Sequence, residues 1–435
     1  MTQKYSGYKD SGIEWIGEIP EHWRLLRIKY FATSVKNKSE KGDEELLSVS
    51  EYYGVLPRKN IKDDSEEITR AESLVGYLIV CKGQLVCNIM LMWKRGLGVS
   101  DYDGIVSPAY SVFEFNLGIP RYYHYLFRTE MFIAEFKRNS TGVIESRLRL
   151  YDDEFGCIFS HLPPSSEQSQ IVEFLDRKTA LIDRLIAAKE RRIELLKEQR
   201  TALINHAVTK GLDPNVKMKD SGIEWIGEIP EHWVITKLGF YTTKIGAGST
   251  PSGGSEVYLD TGIPFIRSQN VLFSGLNLEG VAFIDQSTHE SMSGTIVRQW
   301  DVLLNITGGS IGRCCVVESD IEMNVNQHVS IIRTVDKLNR FYLNYFLQSE
   351  IGQSQVRFNL TGGNREGLTI EGIRNFFLAF PENVEQQQIV TYLNAETQKI
   401  DSLMSLEQKK INLLKEYRQA LISEAVTGKI KVTKE

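Results

Sequence analysis

Residues Lys9–Trp23 read KDSGIEWIGEIPEHW, and Lys219–Trp233 repeat those fifteen residues without a change. Internal repetition outranks every other sequence signal for architecture. A second pair of matching stretches lies 218 residues apart, EQSQIVEFLDRKTALIDRLI from Glu167 and EQQQIVTYLNAETQKIDSLM from Glu385. The likeness runs on through Leu195-Leu196-Lys197-Glu198 and Leu413-Leu414-Lys415-Glu416, then Ala207-Val208-Thr209 and Ala425-Val426-Thr427. The order is short segment, domain, helical stretch, and then the same three again. Repeats this long are a duplicated half-molecule rather than a solenoid, whose units are far shorter.

The helical stretches are legible from their period. Val172, Thr179, Ile186, Ile193, Arg200 and Ala207 recur every seventh residue, with Leu175, Ile182, Lys189, Leu196 and Leu203 as a second series three positions on. These are the a and d positions of a heptad. The second stretch repeats the layout with Val390, Thr397, Met404, Ile411, Arg418 and Ala425 against Leu393, Ile400, Glu407, Leu414 and Leu421. Ser165 and Asn383 follow a proline and precede Gln168 and Gln386 by three, a capping-box spacing that starts each helix. Long helices with one narrow apolar seam need a partner, and each has the other copy. Pairing them antiparallel returns the C-terminus to residue 9. It also puts Lys189 and Glu407, one charge near the middle of each seam, in adjacent layers, where either a salt bridge would fix the register or each charge would snorkel independently to solvent.

Between these landmarks lie two diverged copies of one domain. Gly83–Asn88 parallels Trp300–Asn305, Tyr125–Glu130 parallels Tyr345–Glu350, and Thr141-Gly142 parallels Thr361-Gly362. Short β-rich runs (Leu46–Ser50, Leu85–Met90, Pro264–Arg267, Val302–Ile306, His328–Arg333) alternate with glycine-rich turns, and one helical stretch sits late in each copy (Arg121–Lys137, Arg340–Val356). The fold class expected is α+β: two related α/β domains separated by two long helices that form an antiparallel coiled coil, in a pseudo-twofold internal duplication. The expected boundaries are 1–23 for the repeated segment, 24–162 for the first domain and 163–211 for the first helix. The second set runs 212–233, 234–381 and 382–435 with its tail.

Composition narrows the function classes. A hydrophobic content of 42% with 25% charged residues is that of a globular protein, and the net charge of −5 does not announce a nucleic-acid binder. Five cysteines with no CxxC pair indicate neither a disulfide framework nor a zinc site, so reduced cysteines and no metal are expected. The first residues lack an apolar signal region and no run approaches the length of a membrane span, which together predict a cytoplasmic protein. There is no GxxxxGK[ST] phosphate loop, no HExxH, and no Asn- or Asp-Pro-Pro-aromatic tetrapeptide; the only Pro-Pro is Pro163-Pro164. Gly246-Ala247-Gly248-Ser249 is read as a loop. The tryptophans Trp15, Trp23, Trp225 and Trp233 are read as packing between domain and helix end, and His22 and His232 as structural.

GIEWIGEIPEHW, then a variable domain, then LP-x4-EQ-x-x-I-V-x-x-L and LLKE-x-R-x-A-LI-x-x-AVT, resembles the specificity subunits of Type I restriction-modification systems over nearly the whole chain, twice. LLSVSEYYGVLPR (Leu46–Arg58), CNIMLM (Cys87–Met92) and GIVSPAYSVF (Gly104–Phe113) look like one subtype of target-recognition domain; GIPFIRSQNV (Gly262–Val271) and NQHVSIIR (Asn326–Arg333) look like another. The resemblance implies a non-catalytic subunit without a cofactor of its own. Its partners would be double-stranded DNA, two adenine methyltransferase subunits that bind S-adenosylmethionine, and ATP-dependent restriction subunits. The DNA site would be bipartite and asymmetric, one half per domain. A two-domain protein-binding scaffold and a self-contained DNA methyltransferase or nuclease are the competing classes.

Base edges are read by Arg, Lys, Asn, Gln, Ser and Thr, and phosphates are held mainly by Arg and Lys. Candidates in predicted loops and strand ends of the first domain are Tyr52, Tyr53, Arg58, Asn88, Lys94, Arg95 and Arg147. In the second they are Arg267, Ser268, Gln269, Asn270, Asn305, Thr307, Arg313, Gln327, Asn364 and Arg365. Asn88 and Asn305 align, which fits a turn role equally well.

Overall fold

The computed structural model describes residues 4–60, 73–362 and 366–432. The chain forms two compact units, Met1–Lys189 with Lys409–Glu435, and Glu190–Gln408. Two antiparallel helices, Ser165–Lys210 and Asn383–Val426, each contribute one part to either unit.

The repeated segment folds identically in both units. Tyr8–Asp10 pairs antiparallel with Glu18–Pro20, and Met218–Asp220 with Glu228–Pro230. The strand after it closes the domain by pairing with the domain's last strand: Arg24–Arg27 with Phe159–Leu162, and Val234–Lys237 with Phe377–Phe380. Each domain holds a four-stranded antiparallel sheet of the same order. In the first unit it runs Ala32–Val35, Tyr110–Phe115, Leu85–Asn88, Leu97–Val99; in the second Thr242–Ala247, Val329–Thr334, Val302–Asn305, Cys314–Val316. The second unit adds a mixed sheet in which Ile263–Ile266 lies parallel to Met323–Val325.

The late helical stretch of each domain is two helices, not one: Pro120–Leu126 and Glu130–Arg138, then Arg340–Gln348 and Glu350–Phe358. Thr129 and Ser349 break them by taking extended backbone (ψ 151° and 161°). Hydroxyl residues compete well with helix at such points, and the Ser349 side chain accepts from the Gly352 amide of the next helix.

In the helix pair the heptad seam is buried. In the first unit Leu175, Thr179, Ile182 and Ile186 are at most 6% exposed, whereas Leu181 and Leu185 beside them are about half exposed. Leu196, Ala207, Leu393 and Ile400 continue the seam in the second unit. The seam's two arginines are satisfied in equivalent ways. Arg418 Nε meets Asp183 Oδ1 at 3.0 Å in the first unit, and Arg200 Nε meets Asp401 Oδ1 at 3.0 Å in the second. Glu407 is 1% exposed, with Arg192 Nη1 at 3.3 Å.

The helix ends are tied to the domains. Gln168 and Gln386 make a different bond from the expected capping box. Each donates to the carbonyl of the preceding proline (Pro163 at 2.9 Å, Pro381 at 2.8 Å) and accepts from a domain amide (Ile119 at 2.7 Å, Asn339 at 2.8 Å). A buried amide must be satisfied, and these carbonyls lie within reach. Glu167 and Glu385 take the indole N–H of Trp23 and Trp233, both at 3.1 Å, and pair with His22 and His232. At the C-terminal ends Tyr122 donates to Val426 O (2.7 Å) and Tyr342 to Val208 O (3.2 Å), filling carbonyls that a helix leaves open. Gly211 and Gly428, with φ near +76° and +75°, end the helices. Where the second unit has Ala379, the first has buried His161, which is held neutral because burial pushes its pKa down to about 4 and gives its Nε2 hydrogen to Val426 O at 2.7 Å.

Candidate nucleic-acid interface

In the second unit the candidate residues come from separated stretches of chain and converge at one end of the two sheets. Ile266, the last residue of its strand, accepts a hydrogen bond from the Asn326 amide. That places Arg267–Asn270 beside the turn 326–328. Asn305 ends a strand of the other sheet and is fully buried; its Nδ2 donates to Ser268 O at 2.8 Å and to Ser310 Oγ at 3.0 Å, which ties the 267–270 turn to the glycine-rich loop 306–312. Among the described residues its buried Oδ1 has no hydrogen-bond partner. Asn270 is consumed by its own turn, accepting from the Arg267 amide (3.0 Å) and donating to Asn277 O (3.0 Å). Arg267 lays its guanidinium over the Tyr258 ring at 5.7 Å, and Gln269 and Arg313 are exposed.

A polar chain crosses this end. The Thr250 hydroxyl donates to Gln327 Oε1 at 2.5 Å, Gln327 Nε2 lies 3.1 Å from His328 Nε2, and His328 Nδ1 meets the Thr307 hydroxyl. Thr250 gets there because Gly248 passes close to the turn: a Cβ at 248 would stand 2.2 Å from Val325 O and 2.3 Å from Asn326 O. The glycines read as a loop in the sequence are thus a close backbone approach, which only glycine permits.

In the first unit the turn Glu51–Tyr53 joins Leu47–Ser50 to Gly54–Pro57. The Ser50 hydroxyl accepts from the Tyr52 and Tyr53 amides, both at 3.3 Å, leaving Tyr53 65% exposed. Arg128 holds the turn from below, donating to Glu51 O and Leu97 O at 2.5 Å and Arg95 O at 3.0 Å. Burial, reinforced by the guanidinium groups of Arg95, Arg418 and Arg121, pushes its pKa down to about 10, so it stays charged at neutral pH. Tyr52, Tyr53, Arg95, Arg121, Arg128 and Arg418 line a cleft of about 860 Å³. Three of its cations are paired: Arg95 with Glu130, Arg121 with Asp176 at 3.1 Å, and Arg418 with Asp183, while the Tyr52 ring lies 5.4 Å under the Arg418 guanidinium.

Comparison with known proteins finds relatives that share this layout. Residues 230–416 match the Type I restriction modification DNA specificity domain. The chain is 24% identical over 393 residues to the Type I restriction enzyme MjaVIII specificity subunit of Methanocaldococcus jannaschii, covering 87% of this chain and 86% of that one. The fold recurs in a structure from work on complex assembly and conformational transition of the type I R-M system, with a TM-score of 0.70 at 17% identity, covering 94% of this chain and 98% of that one. It recurs also in the HsdS subunit from Thermoanaerobacter tengcongensis, with a TM-score of 0.52 at 18% identity over 95% and 98% of the two chains. Residues 230–416 thus match a Type I DNA specificity domain, and most of the chain is similar to Type I restriction enzyme specificity subunits.

The candidate residues sort by what their side chains do. Arg267, Ser268, Asn270, Asn305, Thr307 and Gln327 share one end of the second domain, with Gln269 and Arg313 exposed on the adjoining turns. Asn364 and Arg365 lie outside the described residues. In the first domain Tyr52, Tyr53 and Arg95 meet around the cleft. Asn88 caps its own turn, accepting from the Met90 amide at 3.0 Å, Lys94 lies on the Trp93 ring at 4.8 Å, and exposed Arg58 reaches Ser48 Oγ at 3.5 Å. Arg147 is exposed in the short helix Glu145–Arg147 and is not among the described residues that line the cleft. The sequence reading missed Thr250, His328 and Ser310 in the second domain and Arg128 in the first. His328 sits inside the NQHVSIIR motif, so that signal was available. The others carry none, because each acts through a partner distant in sequence.

Proposed function

We propose that this chain is the DNA-reading, non-catalytic specificity subunit of a Type I restriction-modification enzyme. The observation that carries the proposal is the convergence at one end of the second domain. There an exposed arginine (Arg313), an exposed glutamine (Gln269) and a pre-ordered glutamine (Gln327) stand on turns anchored to two sheets. Readout groups on loops fixed by a rigid scaffold are the arrangement that base recognition needs. In this reading residues 24–162 read one half of an asymmetric bipartite site and residues 234–381 the other, with the paired helices as spacer. Adenine methylation and cleavage belong to partners in the cytoplasm: two methyltransferase subunits that bind S-adenosylmethionine, and ATP-dependent restriction subunits.

The test is a map of methylated adenines in cells carrying the methyltransferase partner, with and without this chain. A bipartite motif should be methylated only when the chain is present. A mobility shift with the methyltransferase present, weakening as salt rises, separates DNA binding from protein scaffolding. Methylation that ignores the chain would overturn the proposal.

A further inference from the structure

Gln327 is exposed yet held on both sides. Its Oε1 takes the Thr250 hydroxyl at 2.5 Å and its Nε2 lies 3.1 Å from His328 Nε2. His328 is fixed in turn: its amide donates to Asn326 Oδ1 at 3.1 Å and its Nδ1 meets Thr307. Thr250 is fixed by the Gly248 crossing, where the Gly248 amide donates to Val329 O at 2.9 Å and the Ser249 amide to Val325 O at 3.2 Å. A glutamine amide offers two acceptor sites and two N–H donors. Thr250 occupies one acceptor site and His328 one donor, and among the described residues no other group bonds the Gln327 side chain. One acceptor site and one donor remain on this exposed side chain.

That pattern has one good complement in the major groove. Adenine presents the N7 acceptor beside the N6 amino donor, and a glutamine meets both at once; guanine presents two acceptors and cytosine a lone donor. A free glutamine could also adopt many rotamers, and ordering it on binding carries an entropic cost. Here Thr250 and His328 have already ordered it. Asn270 and Asn305 are unsuited to the same task, since their amides are buried and committed to turns.

We infer that Gln327, held by Thr250 and His328, is the specificity-determining residue for one adenine in the half-site read by the second domain. This rests on the DNA-reading function proposed above. Gln327 Nε2 donates to adenine N7 and Oε1 accepts from N6, while Thr250 and His328 are positioning residues that touch no base.

The experiment measures binding of the chain with its methyltransferase partner to a duplex carrying the methylation motif mapped in cells. Each adenine of the second half-site is replaced in turn by 7-deazaadenine, which removes N7 alone. The wild-type complex should lose about 3- to 10-fold in affinity at one adenine, the worth of one hydrogen bond. In Gln327→Ala that penalty should vanish while penalties elsewhere persist, and replacing the same A·T pair should no longer cost the roughly 5- to 150-fold of a bidentate contact. Thr250→Val keeps the glutamine and removes one of its holders, so it should shrink the penalty at the same adenine only. Penalties unchanged at every position in both variants would overturn the inference while leaving DNA reading intact. A wild-type complex that ignores the duplex would overturn both.

Discussion

The seam arginines give a prediction whose size differs between the two units. In the first unit Arg418 is 19% exposed and makes two bonds to Asp183, Nε–Oδ1 at 3.0 Å and Nη2–Oδ2 at 3.3 Å. The Tyr52 hydroxyl donates to the same carboxylate at 3.4 Å while its ring lies under the guanidinium. In the second unit Arg200 is 22% exposed and meets Asp401, itself 48% exposed, through Nε alone; among the described residues no aromatic ring lies under Arg200. A charged hydrogen bond contributes about 1.5–3 kcal/mol when dry, and exposed ion pairs contribute up to about 1. Asp183 is 40% exposed, so water replaces part of what Asp183→Ala removes. The coupling between Asp183 and Arg418 should therefore be about 1–2 kcal/mol, and that between Asp401 and Arg200 about 0.5 kcal/mol. Two double-mutant cycles to alanine, read by urea unfolding with a probe in each unit, measure both couplings. Adding Tyr52→Phe should reduce the first coupling and leave the second alone. Equal couplings in the two units, or none in the first, would refute the reasoning.

Glu407, 1% exposed beside Arg192, should cost about 3 kcal/mol of stability as Glu407→Ala, less where Arg192 regains water, while Glu407→Leu should come near neutral; the same unfolding assay on Lys189→Leu, Glu407→Leu and the double variant tests the register pair read from the heptads. His161 carries a pH dependence of definite sign. Its pKa falls from an ordinary 6.5 to about 4 on folding, so its contribution is complete above pH 6.5 and is lost as pH falls toward 4. Between pH 7 and pH 5 the wild type should lose about 2 kcal/mol more stability than His161→Gln, measured by denaturant unfolding at the two pH values. Replacing residues 24–162 by another recognition domain should change one half of the methylated motif and leave the other half untouched, as read by methylation mapping.

The duplicated frame was legible because its signals are local and periodic. Lys9–Trp23 returns unchanged at Lys219–Trp233, and the heptads from Val172 and Val390 announce a seam that needs a partner. What stayed hidden depends on residues distant along the chain. Arg200 and Arg418 stood out as polar breaks in the a positions, but their partners Asp401 and Asp183 emerge only when the helices are laid side by side. The split at Thr129 and Ser349 was masked by apolar spacing that runs on across it. In the candidate site, composition picked out Gln327 and Asn305 alike. Burial then separated them: Asn305 knits two turns together inside the domain, whereas Gln327 stands at the surface with its amide held by Thr250, a residue 77 positions away.

The central claim is that this chain supplies sequence choice and its partners supply chemistry. The most direct measurement incubates the purified chain, its methyltransferase partner, and the two together with labelled S-adenosylmethionine and DNA containing the mapped motif. The account predicts methyl transfer only by the mixture, confined to adenines of the motif and lost when either half of the motif is scrambled. Methyl transfer by the chain alone, or transfer by the mixture that ignores the motif, would contradict it.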